Sequence, residues 1–334
     1  SCAIKIGSVF FSFDSMIMAW EVPEGEWAVL HFIEKQTPWY IDALNPKAVD
    51  KFIEYTHEHY AKRLGEYFGD VIPGFYTDEP AMHYYQINPE NGFIPWTEGM
   101  RELFQTENGY DLLSRLASLF YDVDTNSRIV RYDFWNTLTE RLSTVFYERV
   151  RQWCHDHDLL FTGHLLFEEW FHLATRTEGN VMTHLKHFDI VGVDHIFSPK
   201  GSRERPDLHV ALKAASSVAH QVGSKRVLCE SIGGFGWATT MLDMKTMADW
   251  EYVLGVNLFN PHGGHYSIEG DRKRDWPPCQ FYQQSWWKYY GQFSEYISRL
   301  SYLLSTGRPV ADMAILYPVR SYWQNYTSQV RTPL

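Results

Sequence analysis

Short apolar runs alternate along the chain with longer stretches in which apolar residues recur every three or four positions. The apolar runs predict strands at residues 71–76, 159–166, 189–196, 226–230 and 256–259. The longer stretches predict amphipathic helices at about residues 129–157, 206–222 and 241–254. Strands and helices that alternate in this order build a parallel sheet covered by helices.

The pattern predicts further elements before this series. Residues 4–13 and 27–33 are β-like and lie around a turn at residues 23–25. Asn45 suits the N-cap of a helix whose first residue is Pro46 and which ends near residue 65 or 69. Its apolar face is expected to carry Ala48, Phe52 and Tyr55.

After the series, a last helix is expected at about residues 282–305, with Trp286 on its buried face. A final strand is expected at residues 311–317. No GxGxxG or GxxxxGK[ST] phosphate loop follows any predicted strand, which disfavours a nucleotide-binding, doubly wound sheet. The predicted fold is therefore an α/β fold of the (β/α)8 TIM-barrel type, which takes about 250 residues and fits within this chain of 334.

Composition excludes several classes of partner. The formal charge is −11 and no basic run occurs, so we expect no nucleic-acid partner. No stretch of about 18 apolar residues occurs, so we expect no membrane span. The four cysteines lie far apart and form no CxxC pair, which argues against a zinc ribbon, a redox dithiol or a disulfide framework. The 13 Trp, 21 Tyr and 21 Phe are compatible with stacking on sugar rings and equally with core packing.

Polar side chains follow the predicted strands at the point where each strand ends. They are Asp78 and Glu79, His164 with Glu168 and Glu169, Asp194 and His195, Glu230, and Asn260 with His262. A polar residue at the end of one strand is expected wherever a strand leads into a loop. Polar residues at the ends of all five strands favour a shared site. Because catalytic groups of α/β barrels project from the carboxyl ends of strands, these residues predict a polar crater at one barrel mouth.

Paired carboxylates in such a crater are what glycosidic-bond cleavage requires, one protonated and one ionised. Glu79 is the candidate general acid, and Asp78 would orient it or bind substrate. Glu230 is the candidate base or nucleophile. Glu168 and Glu169 are alternative acids, or bind sugar hydroxyls, or cap a helix.

The other polar and aromatic candidates are assigned to substrate binding. His164 and His262 are plausible sugar ligands, although single histidines are more often structural. Asp194, His195 and Asn260 complete the polar set. Trp237 and Trp276 are candidates for stacking on a sugar ring.

Several motifs are recognisable together. The segment from Phe75 to Pro80, Phe-Tyr-Thr-Asp-Glu-Pro, resembles the Asn-Glu-Pro ending of the fourth strand in a large clan of retaining (β/α)8 glycosidases, with Asp78 in place of Asn. Thr56-His-Glu58, Thr162-Gly-His-Leu165, Gly179-Asn-Val-Met182, residues 229–237 and residues 255–262 occur in the same order as in glycoside hydrolase family 106, the α-L-rhamnosidases. Over roughly residues 20–320 the chain resembles that family.

The resemblance implies roles and a register. Glu79 would end the fourth barrel strand as the acid, and Glu230 would end the seventh. Family 106 enzymes are regarded as inverting, which implies that Glu230 activates water. The family includes calcium-dependent members, so the resemblance makes Ca²⁺ a candidate cofactor, although no protein metal ligand is assigned.

The resemblance also implies a domain division. Residues 1–40 would be a β-rich insertion, residues 41–308 the catalytic barrel, and residues 309–334 the start of a following α/β domain similar to the one after the barrel of family 42 β-galactosidases. Barrel strands one to three are not clear before residue 71, so we expect a fragment of a longer enzyme whose open strand edges favour self-association. Localisation stays open, because the native N-terminus is expected to be missing.

The predicted function is removal of a terminal, α-L-rhamnoside-like sugar from an oligo- or polysaccharide. One alternative is a metal-dependent TIM-barrel hydrolase or isomerase that uses His164, Asp194, His195 and His262, although the expected HxH and HxxH spacings are absent or misplaced. The other is a non-catalytic, carbohydrate-binding fragment.

Overall fold

The computed structural model describes residues 2–5, 10–12, 24–30, 32–34, 36, 40–82, 92–197 and 200–328. It contains a small antiparallel sheet and a larger parallel sheet. The small sheet is formed by β1 (Cys2–Lys5), β2 (Phe10–Ser12) and β3 (Trp27–Leu30), in the order β2-β1-β3. The β-like character of this segment is thereby confirmed for the described strands, and its role as an insertion stays a prediction.

The larger sheet carries the polar strand ends. Its strands are β4 (Gly74–Asp78), β5 (Leu160–His164), β6 (Ile190–His195), β7 (Val227–Ser231) and β8 (Leu258–Pro261). They pair in parallel in chain order and overlap the five predicted strands. The α/β prediction is confirmed, but within the described residues the sheet is a five-stranded half-barrel and not a closed barrel of eight strands.

Helices lie before, between and after the strands of this sheet. They are α1 (Pro46–Tyr55), α2 (His57–Leu64), α3 (Met100–Asn108), α4 (Ser127–Leu142), α5 (Arg149–Asp156), α6 (Phe171–Thr177), α7 (Val181–Leu185), α8 (Val210–Val222), α9 (Met241–Val253), α10 (Tyr290–Thr306) and α11 (Val319–Asn325). The predicted long helix at 129–157 is α4 and α5, joined by a π-helical turn at Ser143–Glu148. In the described part of the chain, no helix has the length and apolar character that a membrane crossing needs.

The core lies between the sheet and these helices. Phe134, Leu138 and Leu142 on α4 are fully buried at the spacing of an amphipathic helix, and so are Leu212 and Ala215 on α8. Full burial of one such large apolar side chain stabilises the fold by about 1.5–3 kcal/mol. In α4 and α8 the helical periodicity of the sequence therefore matches the face that is buried.

Two local predictions are wrong in detail. Helix α1 begins after the predicted N-cap, where Asn45 accepts a hydrogen bond from the Lys47 amide, but it buries Val49 and Ile53 and leaves Tyr55 exposed. The last helix begins at Tyr290, after a 3-10 turn at Trp287–Tyr289, and not at residue 282. Tertiary contacts, and not the local apolar pattern, set both the face of α1 and the start of α10.

The predicted strand at residues 311–317 is also wrong. This segment has no regular structure, and Met313, Ile315 and Leu316 are exposed. An apolar run forms a strand only when a neighbouring strand pairs with it, and no described strand lies beside this one. The chain then enters α11, where Trp323 is buried and its Nε1 atom donates to the Gly179 carbonyl at 3.2 Å. The proposed domain boundaries at residues 40 and 308 stay predictions.

A glycine permits the close approach of β4 and β5. Gly163 has a φ of 149°, and a Cβ atom there would lie 2.0 Å from the carbonyl oxygen of Thr77. A side chain at this position would push apart the two strands whose ends carry Asp78 and His164.

Candidate active site

The strand register brings the predicted residues together. Asp78 on β4 pairs with His164 on β5, and Asp194, Glu230 and Asn260 form a row across β6, β7 and β8. Residues in register on neighbouring parallel strands point to the same face of the sheet. The carboxyl ends of the strands therefore present their polar groups on one side, as the sequence predicts.

His164 is the centre of the hydrogen-bonded cluster. Its Nε2 atom lies 3.0 Å from Oε2 of Glu230 and 3.2 Å from Oδ1 of Asp78. Its Nδ1 atom lies 3.0 Å from the Leu165 carbonyl. The hydroxyl of Tyr76 donates to the same Glu230 oxygen at 2.6 Å. A buried imidazole thus joins the ends of β4 and β7.

The charges of this cluster support one another. Burial disfavours the charged form of His164, but hydrogen bonds to Asp78 and Glu230 outweigh it and hold the His164 pKa well above its usual range. The hydrogen bond from His164 lowers the pKa of Asp78. Burial raises the pKa of Glu230, but the hydrogen bonds from His164 and Tyr76 lower it below its usual value on balance. Glu230 is therefore an ionised carboxylate beside an imidazolium.

Glu168 has the opposite protonation state to Glu230. Its side chain is buried and its Oε1 atom accepts a hydrogen bond from the Leu165 amide at 2.8 Å. Burial, followed by repulsion from Glu169, holds its pKa well above the usual range. Burial likewise raises the pKa of Asp194 to about 7. Glu168 is thus a neutral carboxylic acid, whereas Glu230 is ionised.

A cavity of about 280 Å³ lies over these strand ends. Its lining consists of carboxyl groups, imidazoles and a hydrophobic wall, namely Asp78, Glu79, His164, Phe167, Glu168, Glu169, Trp170, Asp194, Ile196, Phe197, Glu230, His262 and Trp276. None of these lining residues is a lysine or an arginine. The Nε2 atom of His262 lies 3.9 Å from Oε1 of Glu230, whereas that of His164 lies 3.0 Å from Oε2.

Glu79 occupies a strained position at the edge of the cavity. It has a φ of 47°, in the left-handed region that residues other than glycine rarely adopt. Its carbonyl oxygen accepts a hydrogen bond from the Tyr40 hydroxyl at 3.1 Å. Strain of this kind persists only where surrounding contacts hold it, and such positions cluster at functional sites.

One trio of possible metal ligands among the described residues lies at the ends of β4 and β5. Ligand atoms of Asp78, Glu79 and His164 lie within 4.8 Å of one another. Ca²⁺ takes six to eight oxygen ligands, whereas this trio offers two carboxylates and an imidazole whose Nε2 atom already binds Asp78 and Glu230. These three residues do not fit calcium.

Three predicted binding residues lie outside the cavity lining. His195 is buried behind it, with its Nδ1 atom 3.8 Å from Oε1 of Glu169. The Trp237 indole donates to the Lys273 carbonyl at 2.6 Å, so it stabilises the segment that contains Lys273. Asn260 stands in register beside Glu230. The other predicted residues all line the cavity.

Sequence reasoning missed two kinds of contributor. Tyr76 lies in the predicted strand at residues 71–76 and carries no separate signal, although it is two residues before Asp78 and so on the same face. The aromatic wall formed by Phe167, Trp170 and Phe197 follows strand ends but carries no polar signal. Phe197 contacts Trp276 edge to face, with ring centroids 5.2 Å apart.

A half-barrel whose strand ends combine an ionised and a protonated carboxyl group in one cavity is typical of a glycosidase. The model of glycoside hydrolase family 106, described as alpha-L-rhamnosidase, matches residues 10–330. The chain belongs to this family. The predicted resemblance is confirmed, and the family is one of glycosidases, as the sequence predicts.

Two relatives agree with this assignment. A Formosa agariphila protein named "Putative beta-glucuronidase" is 25% identical over 322 residues, which cover 90% of this chain and 26% of that protein. The structure of a rhamnosidase from Novosphingobium sp. PP1Y matches 81% of this chain and 26% of its own, with a TM-score of 0.58 and 24% identity, and so shares its fold. The chain therefore spans about a quarter of the length of these relatives.

Proposed function

We propose that this site removes a terminal neutral sugar, of the α-L-rhamnoside type, from an oligo- or polysaccharide by acid/base catalysis. The observation that carries the proposal is the pair of carboxyl groups with opposite pKa shifts in one cavity, low for Glu230 and high for Glu168. Groups whose surroundings separate their pKa values in this way divide the acid and base roles between them.

In the proposed reaction Glu230 is the base. Its Oε2 atom is held by Tyr76 and His164, which leaves Oε1 to accept a proton from a water molecule. The water oxygen attacks the anomeric carbon as the bond from that carbon to the leaving oxygen breaks. The acid gives its proton to the leaving oxygen, so the products are a free sugar and an alcohol.

Two carboxyl groups are candidates for the acid. Glu79 is the candidate from the strand-four motif, and it lines the cavity. Glu168 lines the same cavity and is held neutral by burial. We favour Glu168 as the proton donor, because a general acid must carry its proton at the working pH, and we place Glu79 beside it in contact with substrate.

The charge of the cavity favours a neutral sugar over a uronic acid. Among the described residues that line the cavity there are six carboxyl groups and no lysine or arginine. Its imidazolium, His164, is already paired with Asp78 and Glu230. A substrate carboxylate would be buried against like charge without a cationic partner, which costs free energy. The apolar lining residues Phe167, Ile196 and Trp276 suit the apolar face of a sugar or the methyl group of a deoxy sugar.

A matched pair of aryl glycosides tests the proposal. The purified chain, and the longer protein that contains it where one exists, would be assayed on 4-nitrophenyl α-L-rhamnopyranoside and 4-nitrophenyl β-D-glucuronide. We expect kcat/KM for the rhamnoside to be at least about 100-fold higher than for the glucuronide, because the glucuronide carboxylate would be buried beside like charge. Faster cleavage of the glucuronide would reject a neutral substrate. Rhamnose binding without hydrolysis by either protein would support the non-catalytic, carbohydrate-binding alternative instead.

A further inference from the structure

The strained turn after β4 is held by buried hydroxyl groups. The Tyr40 hydroxyl donates to the Glu79 carbonyl and accepts from the Ala81 amide at 2.7 Å. The Pro80 carbonyl lies 3.0 Å from the hydroxyl of Tyr147. The Met82 amide donates to the Thr177 carbonyl at 2.8 Å. Peptide groups on the C-terminal side of Glu79 thus have partners from other parts of the chain.

Tyr147 connects this turn to a second buried acid. Its hydroxyl lies 3.0 Å from Oε2 of Glu178 as well as from the Pro80 carbonyl, and both side chains are fully buried. A phenol has one proton and cannot donate fully to two acceptors. Burial holds the pKa of Glu178 well above its usual range, so this residue is a neutral acid. The Tyr147 hydroxyl therefore shares its single proton between Oε2 of Glu178 and the Pro80 carbonyl.

The same segment also contacts the loop that carries Glu168. The Thr177 hydroxyl donates to the Leu166 carbonyl at 3.1 Å. Leu166 is followed by Phe167, which has a φ of 62° and leads directly into Glu168. Thr177 and Glu178, at the end of α6, therefore bind the turns that present Glu79 and Glu168 to the cavity.

We propose that Tyr147 and Glu178, with Tyr40, are positioning residues that hold the backbone of the Glu79 turn in register with the Glu168 loop. The proposal rests on the proposed function for its effect on catalysis. None of the three lines the cavity, so each acts through the carboxyl groups that do. Displacement of a catalytic group by about 1 Å can lower the rate on the order of 100-fold, so loss of a positioning residue can slow catalysis strongly.

A Tyr147→Phe variant tests this function of the hydroxyl. It keeps the ring that stacks on His184 and loses only the hydroxyl. We expect kcat on the aryl rhamnoside to fall about tenfold or more, with KM changed less than about twofold, because the cavity lining is intact. Tyr110→Phe, which removes a hydroxyl bonded to Asp133 away from the cavity, is the matched control and should not change kcat.

Two substitutions at Glu178 separate hydrogen bonding from packing. Glu178→Gln keeps a side-chain oxygen that accepts from the Tyr147 hydroxyl, whereas Glu178→Met keeps the length and loses the acceptor. We expect the kcat of the Gln variant to exceed that of the Met variant at least about fivefold. Equal values for the two would show that Glu178 only fills space and would overturn its positioning role.

Amide hydrogen exchange tests the positioning independently of activity. The amides of Ala81 and Met82 are bonded to Tyr40 and Thr177. In Tyr147→Phe their exchange should accelerate about tenfold or more, while amides of α8 keep their rates. If the unsubstituted chain hydrolyses no glycoside, the proposed function fails, and exchange alone decides the positioning. Unchanged exchange at both amides would overturn it. If Tyr147→Phe does not fold, Tyr40→Phe is measured in the same way.

Discussion

The Nε2 atom of His164 lies 3.0 Å from the Oε2 atom of Glu230, and the imidazole is almost completely buried. Paired with Asp78 as well, His164 is held as an imidazolium, and it holds Glu230 ionised in return. The same cavity contains a neutral Glu168. One buried cation thus allows two carboxyl groups in a common space to keep opposite protonation states.

Removal of the Tyr76 hydroxyl should change the pH dependence of catalysis. The hydrogen bond from Tyr76 favours ionised Glu230, so Tyr76→Phe raises the Glu230 pKa. Glu230 works as a base only when ionised, so the acidic limb of the kcat/KM profile should move to higher pH. Tyr302→Phe, at an exposed position on α10, is the control and should leave the profile in place. If the acidic limb of the kcat/KM profile stays at the same pH in Tyr76→Phe, that limb does not report the ionisation of Glu230.

The identity of the acid can be read from leaving-group dependence. Loss of the proton donor slows cleavage most where the leaving alcohol is a poor leaving group. We expect Glu168→Gln to lose about 100-fold or more on an alkyl rhamnoside and much less on a 2,4-dinitrophenyl rhamnoside. Glu79→Gln should lose similar factors on both substrates. The reverse pattern would assign the acid to Glu79.

Glu251 should make stability depend on pH. This residue on α9 is fully buried, accepts a hydrogen bond from Ser231 at 2.6 Å, and burial raises its pKa to about 8. The folded state keeps the proton that the unfolded state releases, so this group stabilises at low pH and the benefit is lost as pH rises towards 8. Relative to Glu251→Gln, wild-type unfolding free energy should fall by about 1.4 kcal/mol per pH unit between pH 5 and 8. Urea titrations measure the unfolding free energy of both proteins at each pH. If the two free energies change in parallel with pH, Glu251 is not a buried neutral acid.

The close approach of β4 and β5 predicts a stability difference between two glycines. Gly163→Ala places a Cβ atom 2.0 Å from the Thr77 carbonyl and should cost at least about 2 kcal/mol of unfolding free energy. Gly291→Ala, in α10 with open space around the added atom, should stabilise the chain by about 0.5–1 kcal/mol. Chemical denaturation measures both. A neutral Gly163→Ala would mean that the strands tolerate separation.

Much of the parallel sheet could be predicted from the sequence. Each strand from β4 to β8 is a short apolar run between amphipathic helices, and that pattern has few other interpretations. The run at residues 311–317 shows the limit of the same signal. It has the composition of a strand, yet Ile315 is 95% exposed and no described strand pairs with it. Composition shows that a segment can pair but not whether a partner is present.

The candidate site was predictable where chemistry and strand ends coincide. Glu230 and His164 are polar groups at the ends of apolar strands, and both line the cavity. Glu178 and Tyr147 gave no such signal, because their relationship depends on how α6 packs against the helical segment before α5. Opposite pKa shifts also depend on burial, which residue spacing does not reveal.

The central claim is that Glu230 is the base of a glycosidase, and Glu230→Gln tests it most directly. The amide keeps the size of the side chain but cannot take a proton from water. On 4-nitrophenyl α-L-rhamnopyranoside we expect kcat/KM to fall between about 100-fold and 10,000-fold, while Glu66→Gln at an exposed position keeps full activity. A folded Glu230→Gln variant with the activity of the unsubstituted chain would contradict the account.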